Sequence, residues 1–119
     1  MLKNKVLLLS RINGALLYIF VIIRRRKSMK KQKMVIKNKF GLHARPAGVL
    51  THLSKKYQCD IKMKTKVKTV NIKSIMGVMS AGVECGDEVE FICEGPDEFE
   101  ALQSIVAAVN SGLGEDSNQ

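Results

Sequence analysis

Apolar and charged residues alternate along two short segments of the chain, residues 60–64 and 88–94, and this alternation is the strongest constraint on the fold. Successive side chains of an extended strand point to opposite faces, so each segment is predicted to be a strand with one buried face. A strand of this kind needs a covering layer on one side only. The natural solution is an antiparallel sheet with helices on one face and water on the other.

The remaining patterns between residues 29 and 116 predict the order β-α-β-β-α-β-α, which is an α+β fold. Strands are expected at 34–36, 60–64, 66–72 and 88–94, and helices at 45–57, at 75–80 and from residue 99 to near Gly112. The last helix is expected to carry its apolar stripe on Phe99, Leu102, Ile105, Val106 and Val109. About 90 residues suffice for one such core.

The chain changes from a predicted strand to a predicted helix within residues 41–47, whose sequence is GLHARPA. Pro46 marks the first turn of the helix, where a missing N–H is tolerated, so His43 lies at or near the N-cap. Free backbone N–H groups and the positive end of the helix dipole make that position an anion site. The guanidinium of Arg45 suits phosphate oxygens. A histidine at a helix start is most often a simple cap, but this combination predicts a phosphoryl group carried on the imidazole of His43.

A second motif, with the sequence VNIKSIMGVMS, occupies residues 70–80. With both motifs in one short domain, residues 29–116 resemble HPr, the histidine-containing phosphocarrier of the bacterial phosphoenolpyruvate-dependent sugar phosphotransferase system. The likeness is to the Gram-positive type, which has a regulatory serine, and it leaves residues 1–28 uncovered. It implies an open-faced sandwich in which four antiparallel strands carry three helices on one face.

The resemblance also implies the chemistry of the turn. Enzyme I, charged by phosphoenolpyruvate, would pass its phosphoryl group to Nδ1 of His43, and the chain would pass it on to sugar-specific IIA components. Arg45 is then the cation on the phosphate side. We expect a phosphoryl carrier without cofactor or metal rather than an independent enzyme, because no carboxylate–histidine or cysteine–histidine arrangement is visible near the turn.

Ser74 resembles the regulatory serine of these proteins, which HPr kinase/phosphorylase phosphorylates from ATP. The pattern also predicts Ser74 as the N-cap of the short helix, and a phosphate there adds a charge of about −1.5 to −2 at pH 7. Ile75, Met76 and Met79 are expected to form an apolar docking patch near His43, because so short a helix does not bury all three. A phosphate on Ser74 is then expected to weaken docking of enzyme I and to favour the catabolite-control repressor that the family binds.

The formal net charge of +9 is unevenly distributed along the chain. Seven of the 20 basic side chains lie in residues 1–28, which contain no acidic residue. The remaining residues contain 13 basic and 11 acidic side chains. The domain itself is therefore nearly neutral, and it has few aromatic residues on which bases would stack. A nucleic-acid binder is disfavoured on both counts.

Residues 1–28 form an apolar and basic extension. Residues 6–23 are largely apolar, and residues 24–27 are Arg-Arg-Arg-Lys. We favour an over-extended gene start, because purine-rich Arg and Lys codons are what a translated ribosome-binding site would give, and the mature chain would then begin at Met29. A membrane anchor is the weaker alternative, since Arg11 near the centre of a spanning helix costs roughly 2.5–3.5 kcal/mol.

Cys59, Cys85 and Cys93 are odd in number and lack the spacing of a metal site. We expect buried or half-buried free thiols in a reducing cytosol.

The domain is predicted to be a cytoplasmic monomer with a mobile tail at 117–119. The alternative to a phosphocarrier is a serine-regulated adaptor of carbon catabolite control that carries no phosphohistidine.

Overall fold

The computed structural model describes residues 14–19 and 29–115. Residues 14–19 form a short helix, α1, whose side chains are exposed. The other elements are β1 Lys30–Val35, α2 Ala44–Ser54, β2 Asp60–Lys64, β3 Thr69–Asn71, α3 Ile75–Ser80, β4 Glu88–Glu94 and α4 Glu98–Asn110. The predicted order from β1 to α4 is confirmed. The predicted count of three helices is too low by α1, which lies outside the sandwich.

The four strands form one antiparallel sheet in the order β1-β4-β2-β3. The register places Met34 beside Val89 and Ile61 beside Cys93, and these side chains belong to the covered face. Helices α2, α3 and α4 pack their buried apolar residues against that face. The sheet is therefore an open-faced sandwich, as predicted.

The other face of the sheet carries charges of alternating sign across the strands. Glu90 of β4 is flanked by Lys33 of β1 and Lys64 of β2. Opposite charges on facing strands stabilise each other, while like charges there would not. Lys62 and Lys64 of β2 are exposed on this face.

Helix α4 buries part of the predicted stripe: Ile105 and Val109 are buried and Leu102 packs against the core, but the buried face begins at Glu98 and Ala101. Its buried residues are Glu98, Ala101, Ile105 and Val109, which follow the three- and four-residue spacing of a helix face. Phe99, predicted to be in the stripe, is 56% exposed because it lies one position round the helix from Glu98. This leaves a large aromatic side chain in water at the start of α4.

Strand β1 begins at Lys30 instead of residue 34, because residues 30–33 pair with β4. Two further predicted boundaries are wrong for local reasons. Helix α2 ends at Ser54 instead of residue 57, and the N–H groups of Lys56 and Tyr57 turn back to carbonyls three residues earlier. The third strand begins at Thr69 instead of residue 66, because the Thr65 hydroxyl accepts bonds from the next backbone N–H groups and holds a turn.

The cysteines are free thiols, as predicted, but not all are covered. Cys59 and Cys93 are buried, whereas Cys85 is exposed, contrary to the prediction. Burial raises the pKa of the Cys59 thiol to about 12 and that of Cys93 to about 11. Both buried thiols therefore stay protonated at neutral pH and act as small apolar side chains.

The expectations for the two ends of the chain fall mostly outside the described residues. This applies to the mobile tail at 117–119 and to residues 1–28 apart from α1. Within residues 14–19 and 29–115, no helix is long and apolar enough to cross a bilayer.

Candidate functional site

A tight turn delivers the chain from β1 to the start of α2. The N–H of Gly41 donates to the carbonyl of Asn38 at 2.9 Å, and the N–H of Leu42 donates to the carbonyl of Val83 at 3.0 Å. Gly41 has a φ of +69°, and a Cβ added there would lie 2.0 Å from the Val83 carbonyl oxygen. Only glycine fits this close approach, so the turn is fixed against the neighbouring loop.

His43 is the N-cap of α2, as predicted, but its side chain does not cap the helix. Its backbone is extended and its carbonyl accepts the N–H of Ala47 at 2.9 Å, while the imidazole, 39% exposed, makes no capping bond. Pro46 has no N–H to give. The backbone N–H groups of Ala44 and Arg45 are therefore the free donors of the first turn.

The imidazole of His43 is held by a carboxylate from the other end of the domain. Its Nε2 lies 2.9 Å from Oε2 of Glu115, whose Oε1 accepts the side-chain amide of Asn38 at 2.7 Å. The same amide nitrogen donates to the carbonyl of Gly112 at 3.0 Å. The pKa of Glu115 is held below its usual range. The largest cause is the hydrogen bond from the Asn38 amide, followed by the hydrogen bond and charge of His43 and the charge of Arg45.

Glu115 reaches this position because the end of α4 is turned back onto the core. Gly112 and Gly114 have φ values of +93° and +82°, which suit glycine. Between them the side chain of Leu113 is fully buried. The N–H of Glu115 then donates to the carbonyl of Gly112 at 3.0 Å, which closes the turn beside His43.

The contact with Glu115 distinguishes the two imidazole nitrogens of His43. An ionised carboxylate accepts a hydrogen bond from an N–H at Nε2, so in the neutral imidazole Nδ1 carries the lone pair. Among the described residues, Nδ1 has no hydrogen-bond partner. The expectation that no carboxylate–histidine arrangement exists near the turn is thus wrong. The sequence gives no signal for this contact, because 72 residues separate the two side chains.

Arg45 is exposed on the first turn of α2. No described residue forms a hydrogen bond or ion pair with its guanidinium, although its charge reaches Glu115. The structure therefore brings the predicted Arg45 and His43 to one end of α2, with the arginine donors free for an anion.

Ser74 is the N-cap of α3, as predicted. Its hydroxyl oxygen accepts the N–H of Gly77 at 3.0 Å, and its own N–H donates to the carbonyl of Asn71. The side chain is exposed. The hydroxyl is therefore both a capping group and accessible from outside.

Ile75, Met76 and Met79, here called the α3 patch, lie beside α2. Their side chains are exposed by 39%, 73% and 42%, respectively. A Cβ added to Gly48 would lie 3.8 Å from Cδ1 of Ile75. Gly48 is three residues after Arg45, so the α3 patch begins about one helical turn from the arginine.

Besides the α3 patch, the site has an exposed apolar side chain that sequence reasoning missed. Phe40 is 71% exposed, and its ring centroid lies 6.1 Å from that of His43 at an interplanar angle of 80°. Nζ of Lys39 lies 5.4 Å from the centre of the phenyl ring. Within the described part of the chain, no group of three His, Cys, Asp or Glu side chains is placed to hold a metal ion.

The fold and the site together define a small open-faced sandwich that presents a histidine at a helix N-terminus. The family described as "PTS HPr component phosphorylation site" matches residues 30–111. The chain therefore belongs to the HPr family of the phosphotransferase system.

Solved structures of this family resemble the chain closely. HPr-C-His of Thermoanaerobacter tengcongensis is 44% identical with a TM-score of 0.70, covering 73% of this chain and 98% of that one. The phosphocarrier protein HPr of Bacillus anthracis is 36% identical with a TM-score of 0.64, covering 67% and 95%. Crh, a catabolite-repression protein of Bacillus subtilis solved as a swapped dimer, is 41% identical with a TM-score of 0.57, covering 67% and 92%.

A longer relative contains a similar domain. The multiphosphoryl transfer protein of Vibrio cholerae serotype O1 is 42% identical over 83 residues, which are 67% of this chain. The matched part spans only 21% of that relative's length.

Proposed function

We propose that this chain is a phosphocarrier in which Nδ1 of His43 accepts a phosphoryl group from phospho-enzyme I and passes it to sugar-specific IIA components. The observation that carries the proposal is the contact between Nε2 and Glu115, which leaves Nδ1 as the nucleophilic nitrogen. Its lone pair forms the new N–P bond while the bond between phosphorus and the donor's nitrogen breaks. The ring proton stays on Nε2, where the carboxylate of Glu115 stabilises the positive charge that develops on the imidazole.

The same turn supplies the groups that stabilise the transferred phosphate. The backbone N–H groups of Ala44 and Arg45 are free donors at a helix N-terminus, and the Arg45 guanidinium adds charge-assisted bonds. Phosphoryl transfer depends mainly on positioning and charge, so the carrier itself requires little catalytic apparatus. The chain acts with a partner protein and not as an independent enzyme.

We further propose that Ser74 is the regulatory site, phosphorylated from ATP by HPr kinase/phosphorylase. Its hydroxyl is exposed and adjoins the α3 patch, where enzyme I would dock. A phosphate there adds negative charge beside that surface, which weakens docking of an acidic partner and favours the catabolite-control repressor.

The second candidate function is a serine-regulated adaptor without histidine transfer, which the 41% identity to Crh favours. The presence of His43 with its ordered carboxylate partner supports the carrier instead.

We also propose that the chain works in the cytoplasm, where free thiols persist, and as a monomer, although an HPr dimer of Thermoanaerobacter tengcongensis exists. The phosphocarrier domain is proposed to span 29–116, since the family match covers 30–111.

A phosphotransfer assay tests the carrier proposal. The full chain is incubated with enzyme I and radiolabelled phosphoenolpyruvate, beside His43→Ala and Ser74→Ala. His52→Ala is the matched control, because it removes the only other histidine, which is exposed near the end of α2. We expect acid-labile label on wild type, His52→Ala and Ser74→Ala, and none on His43→Ala.

Two outcomes contradict the proposal. Label that persists on His43→Ala would place the phosphate elsewhere. No label on the wild type, with a functional carrier protein labelled under the same conditions, would leave the serine-regulated adaptor as the better function.

A further inference from the structure

We propose that Phe40, together with Lys39, is a docking anchor that inserts into an apolar socket with an acidic rim on the protein that phosphorylates His43. The inference rests on the proposed carrier function and adds a specificity-determining residue to it. It concerns a surface separate from the α3 patch. Phe40 precedes the first turn of α2, whereas Ile75 contacts α2 at Gly48, beyond that turn.

Phe40 lies so close to His43 that a partner protein reaching the histidine must also cover the phenyl ring. The two ring centroids are 6.1 Å apart, so a protein surface that brings a phosphoryl donor to His43 also covers the phenyl ring. That ring is 71% exposed in the free chain. Removing an exposed aromatic side chain from water is the type of contact that dominates interface energetics.

The ring is presented by a rigid turn. Phe40 lies between Asn38 and Gly41, whose backbones are joined by a hydrogen bond of 2.9 Å. The Asn38 side chain is buried and bonded to Gly112 and Glu115, and Gly41 is held against Val83. An anchor that is already ordered loses little backbone freedom on binding, so most of its contact energy is retained.

The contacts of the ring define the chemistry of the partner. Nζ of Lys39 lies 5.4 Å from the ring centre, so a surface that buries the ring must also accept an ammonium group. Carboxylates at the rim of an apolar socket satisfy both requirements, and Arg45 adds a second cation near His43.

A purely structural role for Phe40 is not required by the site. The imidazole of His43 is already fixed by the Glu115 carboxylate at 2.9 Å. The phenyl ring meets it edge-on and leaves most of its own surface in water. An exposed ring that supports nothing buried is better explained by a contact made in a complex.

The test compares kcat and KM of the full chain as substrate of enzyme I, with phosphoenolpyruvate as the phosphate source. We expect Phe40→Ala to lower kcat/KM about tenfold or more, mainly through KM. Phe99→Ala is the matched control: Phe99 is 56% exposed and lies at the far end of α4, about 20 Å from the Gly112 end. It is expected to change kcat/KM by less than about twofold.

A small phosphoryl donor separates docking from an effect on the imidazole. Phosphoramidate phosphorylates imidazole without a protein surface, so its rate with Phe40→Ala should equal that with the wild type. An equal loss of rate with phosphoramidate and with enzyme I would overturn the docking proposal. An unchanged KM of Phe40→Ala for enzyme I, in an assay that labels the wild type normally, would also overturn it. If His43 of the wild type takes no phosphate from either donor, the carrier function itself fails.

The salt dependence of KM tests the acidic rim of the partner separately. Lys39→Gln is expected to raise KM for enzyme I and to flatten the increase of KM with ionic strength, because a screened charge pair is lost. Lys56→Gln, after the end of α2, is the charge control and should keep the wild-type salt dependence. Identical salt curves for wild type and Lys39→Gln would remove the acidic rim from the proposal.

Discussion

The imidazole of His43 is held by a single carboxylate among the described residues. Glu115 accepts at Nε2, and its second oxygen is fixed by Asn38, so the imidazole has one occupied and one free nitrogen. A histidine that rotated freely would offer either nitrogen to a phosphoryl donor. The residue that selects between them comes from the turn after the last helix of the sandwich.

Replacing Glu115 by Gln tests this selection. The amide still accepts at Nε2 but no longer stabilises a positive ring, so we expect transfer from enzyme I to His43 to slow roughly fivefold. The exposed Glu100→Gln, in the first turn of α4, is the control and should transfer at the wild-type rate. An unchanged rate in Glu115→Gln would mean that the carboxylate has no part in the reaction.

The pH dependence of this contact follows from the direction of the shift. The folded chain holds the pKa of Glu115 below its usual value of 4.5, so the pairing is complete above that value. It is lost only as the pH falls through the lower, folded pKa. The rate difference between wild type and Glu115→Gln should therefore show no step from the titration of Glu115 itself above pH 4.5.

At the scale of elements, Asp97 joins the start of α4 to the start of β2. Its carboxylate does not cap its own helix but accepts the N–H groups of Gln58 at 2.8 Å and Cys59 at 2.9 Å. Partial burial raises the pKa of Asp97, and these two N–H groups outweigh that effect and hold it below the usual 3.8. The ionised form therefore stabilises the fold.

We expect Asp97→Asn to lower the free energy of unfolding at pH 7 by about 1 kcal/mol, because a neutral amide is the weaker acceptor. That corresponds to roughly 4–8 °C in Tm for a domain of this size. In the wild type this contribution is present above pH 4 and is lost as the pH falls through the folded pKa of Asp97. Thermal unfolding of both chains at pH 7 and pH 2.5 should show the difference shrinking in acid. An equal difference at both values, or a similar loss in Asp60→Asn, would contradict this assignment.

The elements that the sequence predicts well are those whose signals are local. β2 and β4 alternate within five and seven residues, and α3 has its cap at Ser74. The end of α2 and the start of β3 were misplaced because Thr65 and the turn after Ser54 override weak propensities. The same limit applies to the site. His43 and Arg45 lie within one short motif, whereas Asn38 and Glu115 meet across 77 residues and give no common pattern.

At the scale of the whole molecule, one core supports everything described here. Among the described residues, the buried apolar side chains run from Ile36 to Leu113. Helix α1, at residues 14–19, exposes its apolar side chains and adds none to that core. The described part of the core should therefore not depend on α1.

Removing residues 1–28 is expected to leave Tm within about 2 °C of the full chain and the rate of phosphotransfer unchanged, because every core side chain of the described residues lies after Met29. Ending the chain after Gly112 is the contrasting variant. It removes the fully buried Leu113, which costs about 2–5 kcal/mol, together with Glu115. Calorimetry and the enzyme I assay measure both. A large drop in Tm on removing residues 1–28 would show that the extension packs on the sandwich.

The turn that carries Glu115 has a consequence for how the carrier is made. His43 emerges early in synthesis, but its carboxylate partner follows 72 residues later. Until residue 115 has left the ribosome and Leu113 has entered the core, the imidazole has no fixed orientation. An unfinished chain is therefore expected to accept phosphate more slowly than a complete one, because its imidazole lacks the Glu115 contact until the C-terminal turn has closed.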